Sequence, residues 1–327
     1  MRRCIGICCG LLALAAARAD EILDQPLALS NRQPLVQIYN LPAARSGAVL
    51  AMDQTTARLG FDVANNFASA QRGSESIFLD GESRRIELGA NRGIGNGWEV
   101  GFSLPWISYS GGSLDSFIEQ WHSTFGLPDG GRPDYRRNQL RFQYQRAGTS
   151  ELNFTNAESG IGDLQLNAAY SLASATDSAV ALAAAINLPT GDADKLTGAE
   201  ATNISLSLAA THYGVFGLPL TATANIGSMW LDRGAVLGDR QKSSVWFGAA
   251  EIGWAVADGW RLKAQLAAHT AFYSSELREL GADSVQLLLG GSVRLAPRWW
   301  LDIAAGEDIA VDTAPDITLQ IALKASL

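Results

Sequence analysis

Apolar and polar residues alternate along most of the chain with a period of two, the repeat of a strand with one oily face and one wet face. The clearest unit is 160–192, GIGDLQLNAAYSLASATDSAVALAAAINLPTGD. Leu164, Leu166, Ala168, Tyr170 and Leu172 form one row, against Asp163, Gln165, Asn167, Ala169 and Ser171. A turn at Ser174–Asp177 reverses the chain into a second apolar row, Val180, Leu182, Ala184, Ile186 and Leu188, which ends at the turn signal Pro189-Thr190-Gly191-Asp192. Before this unit, rows run over Ala57–Val63, Ile86–Ala90, Trp98–Trp106 and Leu140–Tyr144, with a weaker one at Glu151–Asn156. After it come Ile204–Ala210, Leu220–Ile226, Trp246–Val256, Trp260–Phe272, Val285–Leu295, Trp299–Ala305 and Ile317–Leu327.

The connections predicted between these rows alternate in length. Short ones fall at 93–97, 147–150, 174–177, 214–217, 257–259 and 296–298; longer or more polar ones at 68–81, 110–136, 157–160, 189–201, 231–243, 273–283 and 310–315. Short turns at one end and long loops at the other are the signature of an outer-membrane barrel. The pattern predicts an all-β fold, a transmembrane antiparallel up-and-down β-barrel of fourteen strands, with twelve as the alternative count. Facing away from the apolar rows are Arg58, Asp62, Arg85, Glu87, Glu99, Arg141, Gln143, Asp163, Glu251, Arg261, Lys263, Arg294, Asp302, Gln320 and Lys324. Both signs are present, as a neutralised barrel interior requires. Trp98 with Trp106, Trp246 with Trp254 and Trp260 with Phe272 share parity near opposite ends of their rows, which predicts two aromatic girdles.

One stretch breaks the two-residue rhythm. In the insertion 111–132, Leu114, Phe117, Ile118, Trp121 and Phe125 recur at helical spacing, with Asp115, Glu119 and His122 on the opposite face. Ser113 is the expected N-cap, and Gly126 with Pro128 the stop. The predicted amphipathic helix over 112–126 lies on the long-loop side, at the barrel mouth.

The opening MRRCIGICCGLLALAAARAD has a charged start, a short apolar stretch and a small-x-small site, so residues 1–19 are expected to be a secretory signal. All three cysteines fall inside it. The remaining chain is then without disulfides or thiolate sites, and more acidic than the formal net charge of −8 because Arg2, Arg3 and Arg18 leave with the signal. Acidity on this scale disfavours nucleic acid as a partner. No later stretch is long and apolar enough for a transmembrane helix, so only a barrel would span a membrane. Residues 20–46 lack a sustained period and read as an extended segment, a candidate plug; residues 47–327 are assigned to the barrel with its helical insertion.

The chemistry in the chain is sparse. Glu119 and His122 have the Glu-x-x-His spacing of di-iron bundles, where several helices supply ligands; here there is one helix, and no metal or other cofactor is expected. His269 is placed facing the lumen on the row carrying Arg261 and Lys263, and His212 near a turn. His122 with Asp115 is the one arrangement that an outer-membrane hydrolase would use. Candidate lumen or plug residues for binding are therefore Asp115, Glu119, Trp121, His122, Phe125, Arg261, Lys263 and His269.

The segments NRQPLVQIYNLPA, GGSLDSFIEQWHSTFGLPDGGR and GIGDLQLNAAYSL resemble the outer-membrane domain-of-unknown-function family 3187 over nearly the whole chain. That resemblance implies a secreted outer-membrane barrel of a Gram-negative bacterium and carries no activity. GIGDL and LPTGD are also similar, over short pieces, to barrels linked to aromatic-compound degradation, which implies movement of hydrophobic molecules. The expected function is a passive channel or transporter for a small solute, with hydrophobic molecules among the candidates. The alternatives are a hydrolase built on His122 and a closed structural or surface barrel. Expected partners are outer-membrane lipid, a small solute and the barrel-assembly machinery.

Overall fold

A computed structural model describes residues 22–114, 116, 120, 135–309 and 313–327. The strands are β1 (Thr55–Arg72), β2 (Glu75–Gly95), β3 (Trp98–Ser110), β4 (Arg141–Arg146), β5 (Thr149–Phe154), β6 (Ser159–Ile161), β7 (Leu164–Ser174) and β8 (Ser178–Leu188). They continue as β9 (Asn203–Tyr213), β10 (Leu220–Leu231), β11 (Ser244–Ala257), β12 (Trp260–His269), β13 (Ser284–Ala296), β14 (Trp299–Asp308) and β15 (Ile317–Ser326). Among the described residues, one-turn helices with both ends described are α1 (Pro34–Gln37) and α2 (Arg278–Gly281).

Twelve of these strands close a ring. β1 pairs with β2 on one side and with β15 on the other, in register from Thr56 opposite Ser326 to Asn65 opposite Ile317. β2 pairs with β3, β3 with β7, and β7 to β15 follow in order. The ring is antiparallel throughout and leaves no sheet edge at membrane depth, where unpaired backbone groups would each cost several kcal/mol. Its count is the smaller of the two that the sequence allowed.

The surplus strands lie beyond the ring. Glu82–Gly95 of β2 pairs with β3, whereas its first residues, Glu75–Asp80, pair with β4. β4 and β5 thus form a hairpin on a projecting arm, and β6 extends the ladder of β3 in the same way. The expected strand at Glu151–Asn156 exists as β5, but its turn at Ala147–Gly148 sits with the long loops and not with the short turns. The predicted loop at 68–81 is also strand: β1 and β2 run on to a tight reversal at Gly73, whose φ is +56°. Arg141 and Gln143 face solvent on the projecting hairpin instead of the lumen.

Lipid explains the difference. Inside the apolar band the rows point outward: Leu59, Phe61, Leu88, Trp98, Trp106, Leu206, Ile226, Trp246, Trp254, Leu262, Ile303 and Ile321 are all exposed. Trp98 and Trp106, eight residues apart on one strand at about 3.3 Å each and tilted, span roughly 20 Å of height. Beyond the band the polarity inverts. Ile77, Leu79, Ile107, Tyr109, Phe142, Tyr144 and Phe154 are buried in one core capping the loop end of the barrel. No lipid meets the projecting arms, so their outer row is free to be polar and reads as loop. Phe272, expected in a girdle, lies past the end of β12 and is buried in this core.

At the opposite end the turns are short. Asn96 and Gly97 both have positive φ (+52° and +78°), the primed turn whose twist matches the flanking strands.

Candidate functional site

Residues 22–51 run inside the ring, and Met52 and Asp53 come out to the surface at the turn end before β1 begins. The chain rises from the turn end along β12 and β15, reverses around α1 at the loop end, and descends past β7 to β10 to join β1. Pro34 occupies the first turn of α1, where its missing N–H costs nothing, and Gln33 Oε1 accepts the Leu35 N–H at 2.8 Å.

An irregular segment buried in a barrel must find partners for its backbone groups. The inward rows supply them. On the rising limb Arg261 Nε donates to Asp24 Oδ1 at 2.7 Å, Lys263 Nζ donates to the Gln25 carbonyl, and Gln265 Nε2 to the Leu27 carbonyl at 3.2 Å. Glu251 accepts the Leu27 N–H at 2.8 Å, and Gln320 donates to the Ala28 carbonyl at 3.0 Å. Asn31 Nδ2 donates to the Thr313 carbonyl at 2.8 Å and lies 2.9 Å from His269 Nε2. A nitrogen that is already a donor requires Nε2 to accept, so the proton is assigned to Nδ1, which donates to the Thr270 carbonyl at 3.0 Å. Arg32 completes the limb, paired with buried Asp62 at 2.7 Å.

The apex is apolar and ring-locked. Tyr39 stacks on Phe272 with centroids 4.8 Å apart, and its hydroxyl donates to that of Tyr273 at 3.0 Å, which in turn donates to the Leu35 carbonyl at 2.9 Å. Gln37 donates to the Tyr109 hydroxyl at 2.9 Å. Burial pushes the Tyr39 and Tyr273 hydroxyls well above the ordinary phenol range, so both stay neutral.

The descending limb is read by amides. Asn187 Nδ2 donates to the carbonyls of Tyr39 and Asn40 (2.7 and 3.2 Å), and Gln165 Nε2 donates to that of Asn40 at 2.9 Å. Asn225 accepts the Arg45 N–H at 3.1 Å and donates to its carbonyl at 2.9 Å. Gly47 follows, where an added Cβ would stand 2.2 Å from the Ala179 carbonyl oxygen. The backbone of the limb presses on the alanine wall there, and only glycine fits.

Asp163 ties this limb to the mouth. The Asn40 side chain donates to its carbonyl at 3.1 Å, while its carboxylate accepts the Gly191 and Ala199 N–H groups at 2.9 and 3.2 Å. Burial pushes the Asp163 carboxyl up, against these hydrogen bonds, which pull it down.

Between the two limbs remains a cavity of about 260 Å³. Its charged wall, from β15, β1 and β2, carries Lys324, Arg58, Arg85 and Glu87; the wall opposite, from β7, β8 and β9, carries Gln165, Asn167, Ala183, Ala185, Ser205 and Ser207. Leu41, Pro42, Ala43 and Ala44 of the descending limb also line it. The lining reaches Gln54, Thr56 and Ser326 at the turn end, while the apex and its core close the loop end.

Of the residues singled out from sequence, Arg261, Lys263 and His269 are brought together on one face of β12, each on the rising limb. Asp115, Glu119, Trp121, His122 and Phe125, with most of the predicted helix, lie outside the described residues. Sequence reasoning placed Arg58, Arg85 and Glu87 on the inward face but did not single them out, and it missed Asp24, Tyr39 and Tyr273. The inward amides Gln165, Asn187, Asn225, Gln265 and Gln320 were the available signal, since a water-filled lumen does not demand so many.

A model of the family described as Protein of unknown function (DUF3187) matches residues 3–326. No curated protein matches the chain significantly in sequence. Among solved structures, the COG4313 outer membrane channel from Pseudomonas putida F1 is similar at TM-score 0.58 and 13% identity, over 85% of this chain and 97% of that one. The KdgM porin matches at TM-score 0.44 and 8% identity, over 84% and 99% of the two chains. The Pseudomonas putida toluene transporter TodX matches at TM-score 0.35 and 10% identity, over 95% and 96%. The first likeness shows a shared outer-membrane barrel fold.

Proposed function

The chain belongs to the DUF3187 family and has an outer-membrane barrel fold, and from that premise we propose that it is a passive channel of the Gram-negative outer membrane. In this reading residues 22–46 act as a resident plug. Residues 1–19 are the secretory signal that delivers the chain, the assembly machinery inserts it, and the short-turn end faces the periplasm. The outward apolar rows meet lipid.

One observation carries the proposal: the segment inside the ring closes the loop end through the Tyr39 core, yet leaves a cavity lined through to the turn end. A barrel kept solely as a structural element needs no such space. The cavity accepts a small solute, and passage requires the apex to move away from Phe272 and Tyr273.

Planar-bilayer recording of the processed chain, and of a form lacking residues 22–46, tests this. The account expects brief or rare openings for the former and a large steady conductance for the latter. Equal conductance in both would remove the plug from the mechanism. Silence in both would favour the closed structural barrel.

A further inference from the structure

The cavity has two unlike walls. One carries cations that outnumber their carboxylate partners. Glu87 serves two guanidiniums, Arg58 at 3.1 Å and Arg85 at 2.5 Å. Asp302 is taken by Lys324 at 2.9 Å, Asp62 by Arg32 at 2.7 Å and Glu99 by Arg45 at 3.4 Å. Each of these four carboxylates has a cation, and against the five cations named one guanidinium is left over at the Arg58–Glu87–Arg85 group. The Arg58 and Glu87 side chains each keep 17% exposure and Arg45 keeps 21%, whereas Asp302 and Glu99 keep 2% and 7%, so the Arg58–Glu87 group is the part of this wall that stays open to the cavity. The opposite wall, Ala183, Ala185, Ser205 and Ser207, is small and uncharged, and Leu41 to Ala44 add an apolar flank.

We propose that this cavity is a binding site for a small organic anion with an apolar body. Its carboxylate sits at Arg58, where a planar guanidinium can meet it with two parallel hydrogen bonds. Its body lies against Ala183, Ala185 and Leu41. A cavity of about 260 Å³ falls just below the usual ~300–1,000 Å³ of drug-sized sites, so the body is of single-ring size. A cation would face carboxylates that are already paired. A neutral molecule would leave the surplus guanidinium unmatched. The assignment rests on the reading of the lumen as a solute path and names the class of solute.

Calorimetric titration of the processed full chain in detergent with benzoate, benzamide and benzylamine tests it without any transport measurement. Benzoate is expected to bind at least tenfold more tightly than benzamide, with benzylamine weakest. Arg58→Gln is expected to weaken benzoate at least tenfold and leave benzamide unchanged, with partial recovery in Arg58→Lys. Equal binding of benzoate and benzamide, absence of benzoate binding, or an Arg58→Gln variant that binds benzoate normally would each overturn the assignment. If the variant does not assemble, the comparison of the three probes on the unaltered chain decides. Conduction without benzoate binding sinks this inference and spares the channel. Benzoate binding in a protein that never conducts, even without residues 22–46, does the reverse.

Discussion

Asp24 and Arg261 form an ion pair of 2.7 Å inside the barrel, both side chains about nine-tenths buried and 237 residues apart in sequence. Removing one partner of such a pair leaves a stranded charge at a cost of about 3–5 kcal/mol. The two groups join the rising limb to a strand that is already held by two neighbours, so the loss falls on the limb. Asp24→Ala is therefore expected to raise amide exchange over residues 22–31 while β12 stays protected, as read by hydrogen-exchange mass spectrometry.

How far the sequence revealed this is uneven, for a physical reason. Lipid enforces the two-residue rhythm, so the rows through Trp98–Trp106 and Trp246–Val256 were legible, as was the inward placement of Arg261, Lys263 and His269. Beyond the lipid the constraint lapses. Ser69, Gln71, Glu75 and Ser76 then read as loop, although they lie in the paired arms of β1 and β2. The inner segment was the least legible. Its hydrogen bonds go to side chains from distant strands, and no local pattern records such partners.

At the apex, Tyr273 both receives the Tyr39 hydroxyl and donates to the Leu35 carbonyl. Tyr273→Phe removes both bonds and orphans a buried carbonyl, a loss of about 1–3 kcal/mol. Single-channel recording should show open events at least fivefold more frequent, with unchanged amplitude.

Asp163 gathers the Gly191 and Ala199 N–H groups and brings Gly191 against Gly198, where a Cβ on the first would lie 2.6 Å from the second. That fold-back holds the loop carrying half-exposed Lys195. Asp163→Ala strips both amides of their acceptor. Limited trypsin digestion should then cut after Lys195 at least several-fold faster, with the barrel fragment intact.

Ile226 lies in mid-strand on β10 and is 60% exposed, as a lipid-facing residue is. Ile226→Lys should cost about 2–4 kcal/mol of folding in a bilayer. Urea titration of the vesicle-inserted protein measures it directly. The same change at Thr223, which faces inward, carries no lipid penalty.

The most direct test of the occupied lumen uses Ser46 and Thr211, whose hydroxyl oxygens are 3.0 Å apart across the descending limb and β9. The only cysteines in the sequence are Cys4, Cys8 and Cys9, inside the expected signal, so Ser46→Cys with Thr211→Cys places one pair in the processed chain. Channel current is recorded from the oxidised double variant before and after reduction. The account predicts a closed channel when oxidised and openings when reduced. Failure of the pair to cross-link, or currents that ignore the reductant, would contradict it.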